Sequence, residues 1–253
     1  MFPKDIVHLI IKFLPEFEFC EWVPINEIDW LYLSSNINAI SILEQNINCI
    51  DWHMLSQNTS AIHFLEKHKD KIDWTYLCLN SSAIQLLEQN MDKINWVALS
   101  ANPAAITLLE KNIDQVNWYQ LSFNPAAIHL LKKYFHRIRW DALSCNPAAI
   151  DLLTGNPEKI DWTELSKNQA AIKLLENNLD KINWNTICLN PAATELLARY
   201  PDKWNWYLLC KNPNMTHVLQ HNHKELDATI FANPSIFEPT PLIAISEILL
   251  NIT

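Results

Sequence analysis

Six cysteines, three clustered histidines and one basic run are the residues of this 253-residue chain whose types could do chemistry. A cysteine nucleophile needs a base within reach or a positive field that lowers its pKa. Cys78, Cys188 and Cys210 recur in one slot of a repeating pattern, and Ser34, Ser56, Ser100, Ser122, Ser144 and Ser166 fill that slot elsewhere. No base recurs beside it, so the slot reads as a small buried residue and no catalytic residue is assigned. No C-x-x-C pair occurs, and scattered thiols fit a reducing cytoplasmic or nuclear compartment. His217, His221 and His223 follow an H-x-x-x-H-x-H spacing. The first two share a helix face and could touch one metal ion, but only Cys210 stands near as a further ligand. A solvated histidine face is the expectation, with no metal or cofactor. A single glycine, Gly155, excludes a Gly-rich phosphate loop.

Lys132, Lys133, Arg137 and Arg139 form the sharpest local concentration of charge, interleaved with Tyr134, Phe135 and Trp140. Basic residues between aromatics can grip phosphate or an acidic peptide. The chain as a whole carries a net charge of -9, which repels nucleic acid and anionic lipid. The run therefore reads first as a local solvated patch. Nucleic-acid or acidic-ligand binding is the alternative.

The elements that carry these residues are set by a period. Trp30, Trp52, Trp74, Trp96, Trp118, Trp140, Trp162, Trp184 and Trp206 stand 22 residues apart. A fixed period of this length means one structural unit copied along the chain. An asparagine keeps the same step at Asn36, Asn58, Asn80, Asn102, Asn124, Asn146, Asn168, Asn190 and Asn212. Taking it as position zero, proline often follows, as at Pro103, Pro125, Pro147, Pro191 and Pro213. Asn caps orphan N–H groups at a helix start, and Pro at the first helical position loses nothing. The helix that follows reads A-A-I-x-L-L-E, with core positions expected at three, four and seven. Asparagine at position ten, as in Asn46, Asn90 and Asn112, is expected to end it in the left-handed conformation. After a D-K-I link, an Asx residue precedes every periodic tryptophan but Trp140, which follows Arg139, and reads as the cap of a second short helix, W-x-x-L-S. Neither helix is long enough to stand alone, so burial against neighbours must carry the fold. On that reading the tryptophan is a core wedge, and Trp118→Ala should cost about 3–5 kcal/mol.

The expected fold is thus an all-α solenoid of about nine 22-residue helix–turn–helix repeats with helical caps. Residues 1–27 are the N-terminal cap, 28–222 the array, and 223–253 a degenerate repeat with a C-terminal capping helix. At that end the tryptophan slot falls on Ala228, and the spacing slips by one residue to reach Asn233. No stretch of 18 apolar residues occurs, so no membrane span is expected.

The unit N-P-A-A-I-x-L-L-E-x-N-x-D-K-I-x-W-x-x-L-S resembles short helical repeats found in proteins of large DNA viruses. The resemblance covers about residues 28–236. It implies an all-helical binding array working in the cytoplasm or nucleus of a host cell. Separately, Phe2-Pro3-Lys4-Asp5-Ile6 through Phe13-Leu14-Pro15 looks like the opening of an F-box, which implies a substrate adaptor for ubiquitin ligation. The repeat grid begins too soon for the rest of that module, and an apolar cap helix is the plainer reading.

In a repeat protein the constant slots build the fold, and the slots that vary are free to face a partner. Positions five and nine carry mixed polar residues and read as a solvent face. Positions 17, 18 and 21, on the tryptophan helix, vary but stay rich in aromatic and apolar residues. Tyr32, Met54, Tyr76, Leu79, Tyr119, Phe123 and Tyr207 are the candidate partner-binding residues. The function expected is a non-enzymatic scaffold that binds a protein or peptide along this stripe, with a monomer favoured.

Overall fold

The structure, a computed structural model, describes residues 28–221 together with Ile230 and Asn233. The F-box-like segment, the C-terminal capping helix, Ala228 and His223 lie outside the described residues. The protein is an all-helical solenoid array, and among the described residues there is no strand. The chain divides into two compact units, residues 1–133 and 134–253.

From Trp96 to Lys203 each repeat holds four short pieces, and the three repeats before Trp96 have a plain turn in place of the first 3-10 turn. In the first unit the tryptophan helices are Trp30–Ser35, Trp52–Gln57, Trp74–Leu79, Trp96–Ala101 and Trp118–Phe123. Each packs against the next one along the chain. A 3-10 turn such as Pro103–Ala105 follows, then a leucine helix such as Ile106–Lys111, then a second 3-10 turn such as Ile113–Gln115. The second unit repeats the order from Trp140–Ser144, through Trp162–Lys167 and Trp184–Ile187, to Trp206–Leu209.

The asparagine at position zero does more than cap. Asn80 is fully buried, and its Oδ1 accepts the N–H of Ser82 at 2.9 Å. Its Nδ2 donates to two carbonyls of the preceding repeat, Ser56 at 3.0 Å and Asn58 at 2.9 Å. Asn58 and Asn102 repeat the arrangement in the first unit. Asn168, Asn190 and Asn212 repeat it in the second. Where the spacing slips by one residue, Asn233 still donates to Cys210 O and Asn212 O, both at 2.9 Å. A buried ladder of amides therefore stitches repeat to repeat, and among the described residues no buried side-chain N or O lacks a partner.

The serine slot is a second stitch. Ser56 Oγ donates to Trp52 O at 2.7 Å and accepts the N–H of Asp73, in the next repeat, at 3.0 Å. Ser144 does the same for Trp140 and Asp161. Cys188 keeps the geometry with a longer and weaker contact, Asn205 N to Sγ at 3.5 Å. The slot is small and buried, as the sequence implied, but its constancy comes from a hydrogen-bond relay.

Three expectations are corrected. Position ten does not adopt the left-handed conformation: Asn46 and Asn112 sit at φ of -127° and -125°, and no described residue has positive φ. Instead the side chain closes the helix by donating to the carbonyl four residues back, Asn46 to Ile42 at 2.9 Å and Asn90 to Leu86 at 2.8 Å. Position four is only half-buried, whereas position six supplies Phe64, Leu86, Leu108 and Leu130 to the core beside the alanines at three and the leucines at seven. The tryptophans are also half-buried throughout. Each lies at the edge of the core, and Trp52 and Trp184 lean on the leucine segment that follows them. Trp52 stacks on Phe64 at 5.9 Å and meets His68 at 5.6 Å, and Trp184 meets Tyr200 at 5.1 Å. Partial burial brings the expected cost of Trp118→Ala down to about 2–3 kcal/mol.

Candidate interaction surface

Asx caps fix where every tryptophan helix but the one at Trp140 starts, and therefore which side chains face outward. Asp29 Oδ1 accepts Leu31 N at 3.0 Å, and Asp73 Oδ1 accepts Thr75 N at 2.9 Å and Tyr76 N at 3.0 Å. Leucine at position 19 and serine at position 20 then point into the core, as Leu55 and Ser56 do. The residues one, two and five places after the tryptophan are left on the outer face.

In the first unit Tyr32 is 70% exposed and Tyr119 41%, and Tyr76 and Leu79 are also exposed. Met54 and Phe123 are half-buried. Tyr119 and Phe123 make an edge-on ring pair at 5.2 Å on one helix, and His53 meets Tyr76 of the next repeat at 5.7 Å. Leu31 and Val97, both exposed, join the stripe at position 17. Of the thirteen large hydrophobic residues that stand exposed among the described residues, eight lie at positions 17, 18 or 21. That concentration separates the stripe from ordinary scattered surface apolar residues.

Polarity along the stripe differs between the units. The first unit presents Leu31, Tyr32, Ser35, His53, Met54, Gln57, Thr75, Tyr76, Leu79, Val97, Ala98, Ala101, Tyr119, Gln120 and Phe123, with no Lys, Arg, Asp or Glu among them. The second unit carries Asp141, Glu164, Lys167 and Lys211 at the same positions. There Tyr207 is exposed and lies under the Lys211 ammonium, 4.3 Å from its ring centre. Ala142, at position 18, is buried and so leaves the outer face.

A further apolar line escaped the sequence reading. Ile47, Met91, Phe135 and Leu179, all at position 11, are exposed on the link turns. The signal was available in the repeat, because Met91 and Leu179 stand apolar before the charged pairs Asp92-Lys93 and Asp180-Lys181. Phe135 packs edge-on against Trp140 at 5.4 Å, with the Lys159 ammonium 4.5 Å from the Phe135 ring centre.

The charged and nucleophilic groups resolve into local pairs. Lys132, Lys133, Arg137 and Arg139 are all exposed. Lys133 pairs with Glu110 at 2.9 Å and Arg139 lies 3.8 Å from Asp141, so the run is partly neutralised by its own neighbours. Arg139 stands where other repeats have an Asx cap, and its side chain makes no capping bond. Glu110 is held below the usual carboxylate range by its hydrogen bond and charge pairing with Lys133. Cys145 donates its thiol to Glu164 Oε2 at 2.9 Å, while Lys167 bonds the other oxygen at 2.7 Å. Burial, then the Glu164 carboxylate, push that thiol up to about 12, the opposite of an activated nucleophile. Cys78 and Cys188 are likewise raised by burial. His217 and His221 are exposed, and His221 Nδ1 bonds His217 O at 2.7 Å. No group of three metal-ligating side chains occurs among the described residues. No described helix is long and apolar enough to cross a membrane.

The chain matches no protein-family model, no curated protein and no solved structure.

Proposed function

We propose that the protein is a non-enzymatic interaction scaffold that binds a protein or peptide along the outer face of its tryptophan helices. The observation that carries this reading is the clustering of exposed Tyr32, Tyr76, Leu79 and Tyr119 on helices whose constant residues are committed to the core. Tyrosine gives large, rigid contact area and a hydroxyl at low entropic cost, which is why it recurs at binding hot spots. The short helices are fixed from both sides by Asx caps and the asparagine ladder, so the surface is preorganised and little ordering cost falls on binding. Kinship with the helical repeats of large DNA viruses, and hence a host-cell setting, rests on the repeat consensus alone. The ubiquitin-ligase adaptor reading concerns residues 1–15, and the phosphate-binding reading loses ground to the Glu110 and Asp141 partners of the basic run.

Changing Tyr119 and Phe123 together to serine removes a surface ring pair, of which Tyr119 is exposed and Phe123 half-buried, without touching the fully buried leucines. Capture of the protein's partner from cell extract should fall at least about tenfold, with an unchanged far-UV circular dichroism spectrum. Undiminished capture by the folded double variant sinks the stripe assignment.

A further inference from the structure

We propose that the stripe of the first unit takes an uncharged, proline-rich segment in the polyproline II conformation, laid across the tryptophan helices with one turn per repeat. The proposal rests on the interaction-scaffold reading and names its ligand class.

Charge comes first. The chain carries a net charge of -9, yet the five tryptophan helices of the first unit present no charged residue at positions 17, 18 or 21. The stripe offers no free partner to a lysine or glutamate on a ligand, because the cap carboxylates Asp29, Asp51 and Asp73 already accept backbone N–H groups and Asp73 is also held by His53 at 2.6 Å. An uncharged ligand needs no such partner. The second unit breaks this neutrality with Asp141, Glu164 and Lys167, so the site belongs to the first unit.

Pitch comes second. Successive tryptophan helices pack side by side in the first unit, and packed helices lie about 8–10 Å apart. A polyproline II segment rises about 3.1 Å per residue with three residues per turn, hence about 9 Å per turn. Every third residue therefore meets an equivalent place one repeat further on. A β-strand, whose side chains return to the same face after about 6.6 Å, drifts out of step within two repeats.

Relief and hydrogen bonding come third. An open furrow of about 340 Å³ lies between the first two tryptophan helices, lined by Ser35, Ile37, Met54, Gln57, Asn58 and Thr59. Its volume suits a pyrrolidine or leucine side chain, whereas an α-helix about 10–12 Å wide needs a larger groove. Polyproline II has no internal hydrogen bonds and leaves its carbonyls seeking donors. Gln57, Gln120 and the tyrosine hydroxyls supply neutral donors, and tyrosine faces are the surface on which proline-rich ligands dock.

The test uses the full chain and a fluorescent synthetic peptide of four Leu-Pro-Pro repeats, titrated by anisotropy. A variant peptide with lysine in each turn and an amphipathic helical peptide of the same length run beside it. Saturable binding of the Leu-Pro-Pro peptide is expected. It should weaken at least about tenfold in the Tyr76→Ser/Tyr119→Ser double variant and in the lysine peptide, and stay unchanged in Thr107→Ala, exposed on a leucine helix. Circular dichroism of each variant checks that the fold is kept. Binding of the helical peptide alone, lost in the double variant, overturns the polyproline assignment and leaves the scaffold reading standing. Leu-Pro-Pro binding that the double variant retains overturns the proposed location. If neither peptide binds, the polyproline proposal falls, and the capture experiment with Tyr119 and Phe123 separately decides the scaffold reading.

Discussion

Replacing Asn80 with alanine removes three hydrogen bonds from a side chain that solvent does not reach. Each such bond is worth about 0.5–1.5 kcal/mol net, and stranding a buried polar group adds about 1–3 kcal/mol. Asn58 O keeps its bond from Ala61 N at 3.1 Å, so the stranded groups are Ser56 O and Ser82 N–H. The expected loss is about 3–5 kcal/mol. Asp51→Ala is the control, because Asp51 Oδ1 accepts one N–H, that of Met54, and an ordinary cap is worth about 1 kcal/mol. Both are measured by urea denaturation followed by circular dichroism, with the midpoint and the slope reported, since a repeat array can lose cooperativity at a weakened joint. Asn80→Asp sharpens the reasoning. Aspartate keeps the cap but turns an acceptor toward two carbonyls, which favours its protonated form and raises its folded-state pKa above about 3.9. A group with a raised folded pKa stabilises below its unfolded pKa and loses that contribution as pH rises, so this variant should recover stability on acidification relative to Asn80→Ala. A loss at Asn80→Ala no larger than at Asp51→Ala refutes the claim that the ladder joins the repeats.

Trp118→Ala should cost about 2–3 kcal/mol by the same denaturation assay, and a value above about 4 would show that the indole is a full core wedge. Cys145 should resist iodoacetamide at pH 8 while exposed Cys49 is modified, read by peptide mass spectrometry; fast labelling of Cys145 contradicts its contact with Glu164. Burial opposes ionisation of Asp73, but the Tyr76 N–H, the His53 side chain and the Thr75 N–H outweigh it and hold its carboxyl below the usual range. A lowered folded pKa contributes stability above the unfolded value of about 3.9 and loses it as pH falls through the folded one. The denaturation midpoint should therefore drop more steeply below pH 4 in the parent than in Asp73→Asn, and parallel acid limbs would remove that role.

What the sequence disclosed depended on how many demands each position meets. The capping role of the asparagines was legible because Asn before Pro has one mechanism at a helix start. Their second role was not, although the repeat carried its trace. Position 15 alternates between Asp and Asn, as at Asp51, Asp73, Asn95 and Asn117, because a cap asks only for an acceptor. Position zero is asparagine in all nine repeats, because it must accept from its own repeat and donate to the one before. Serine at position 20 is held by the same double demand. Tryptophan misled in the other direction: its regularity suggested full burial, yet a large side chain at the edge of two-layer repeats covers its neighbours without being enclosed. The stripe was visible as variable aromatic positions, but its neutrality in the first unit mattered only once those positions proved to face outward.

The most direct test of the account is hydrogen exchange of the full chain with and without its captured partner, resolved to single repeats. The account predicts added protection in the tryptophan helices Trp52–Gln57, Trp74–Leu79 and Trp118–Phe123. Protection confined instead to the leucine helices, around Gln85, Thr107 and His129, would contradict it.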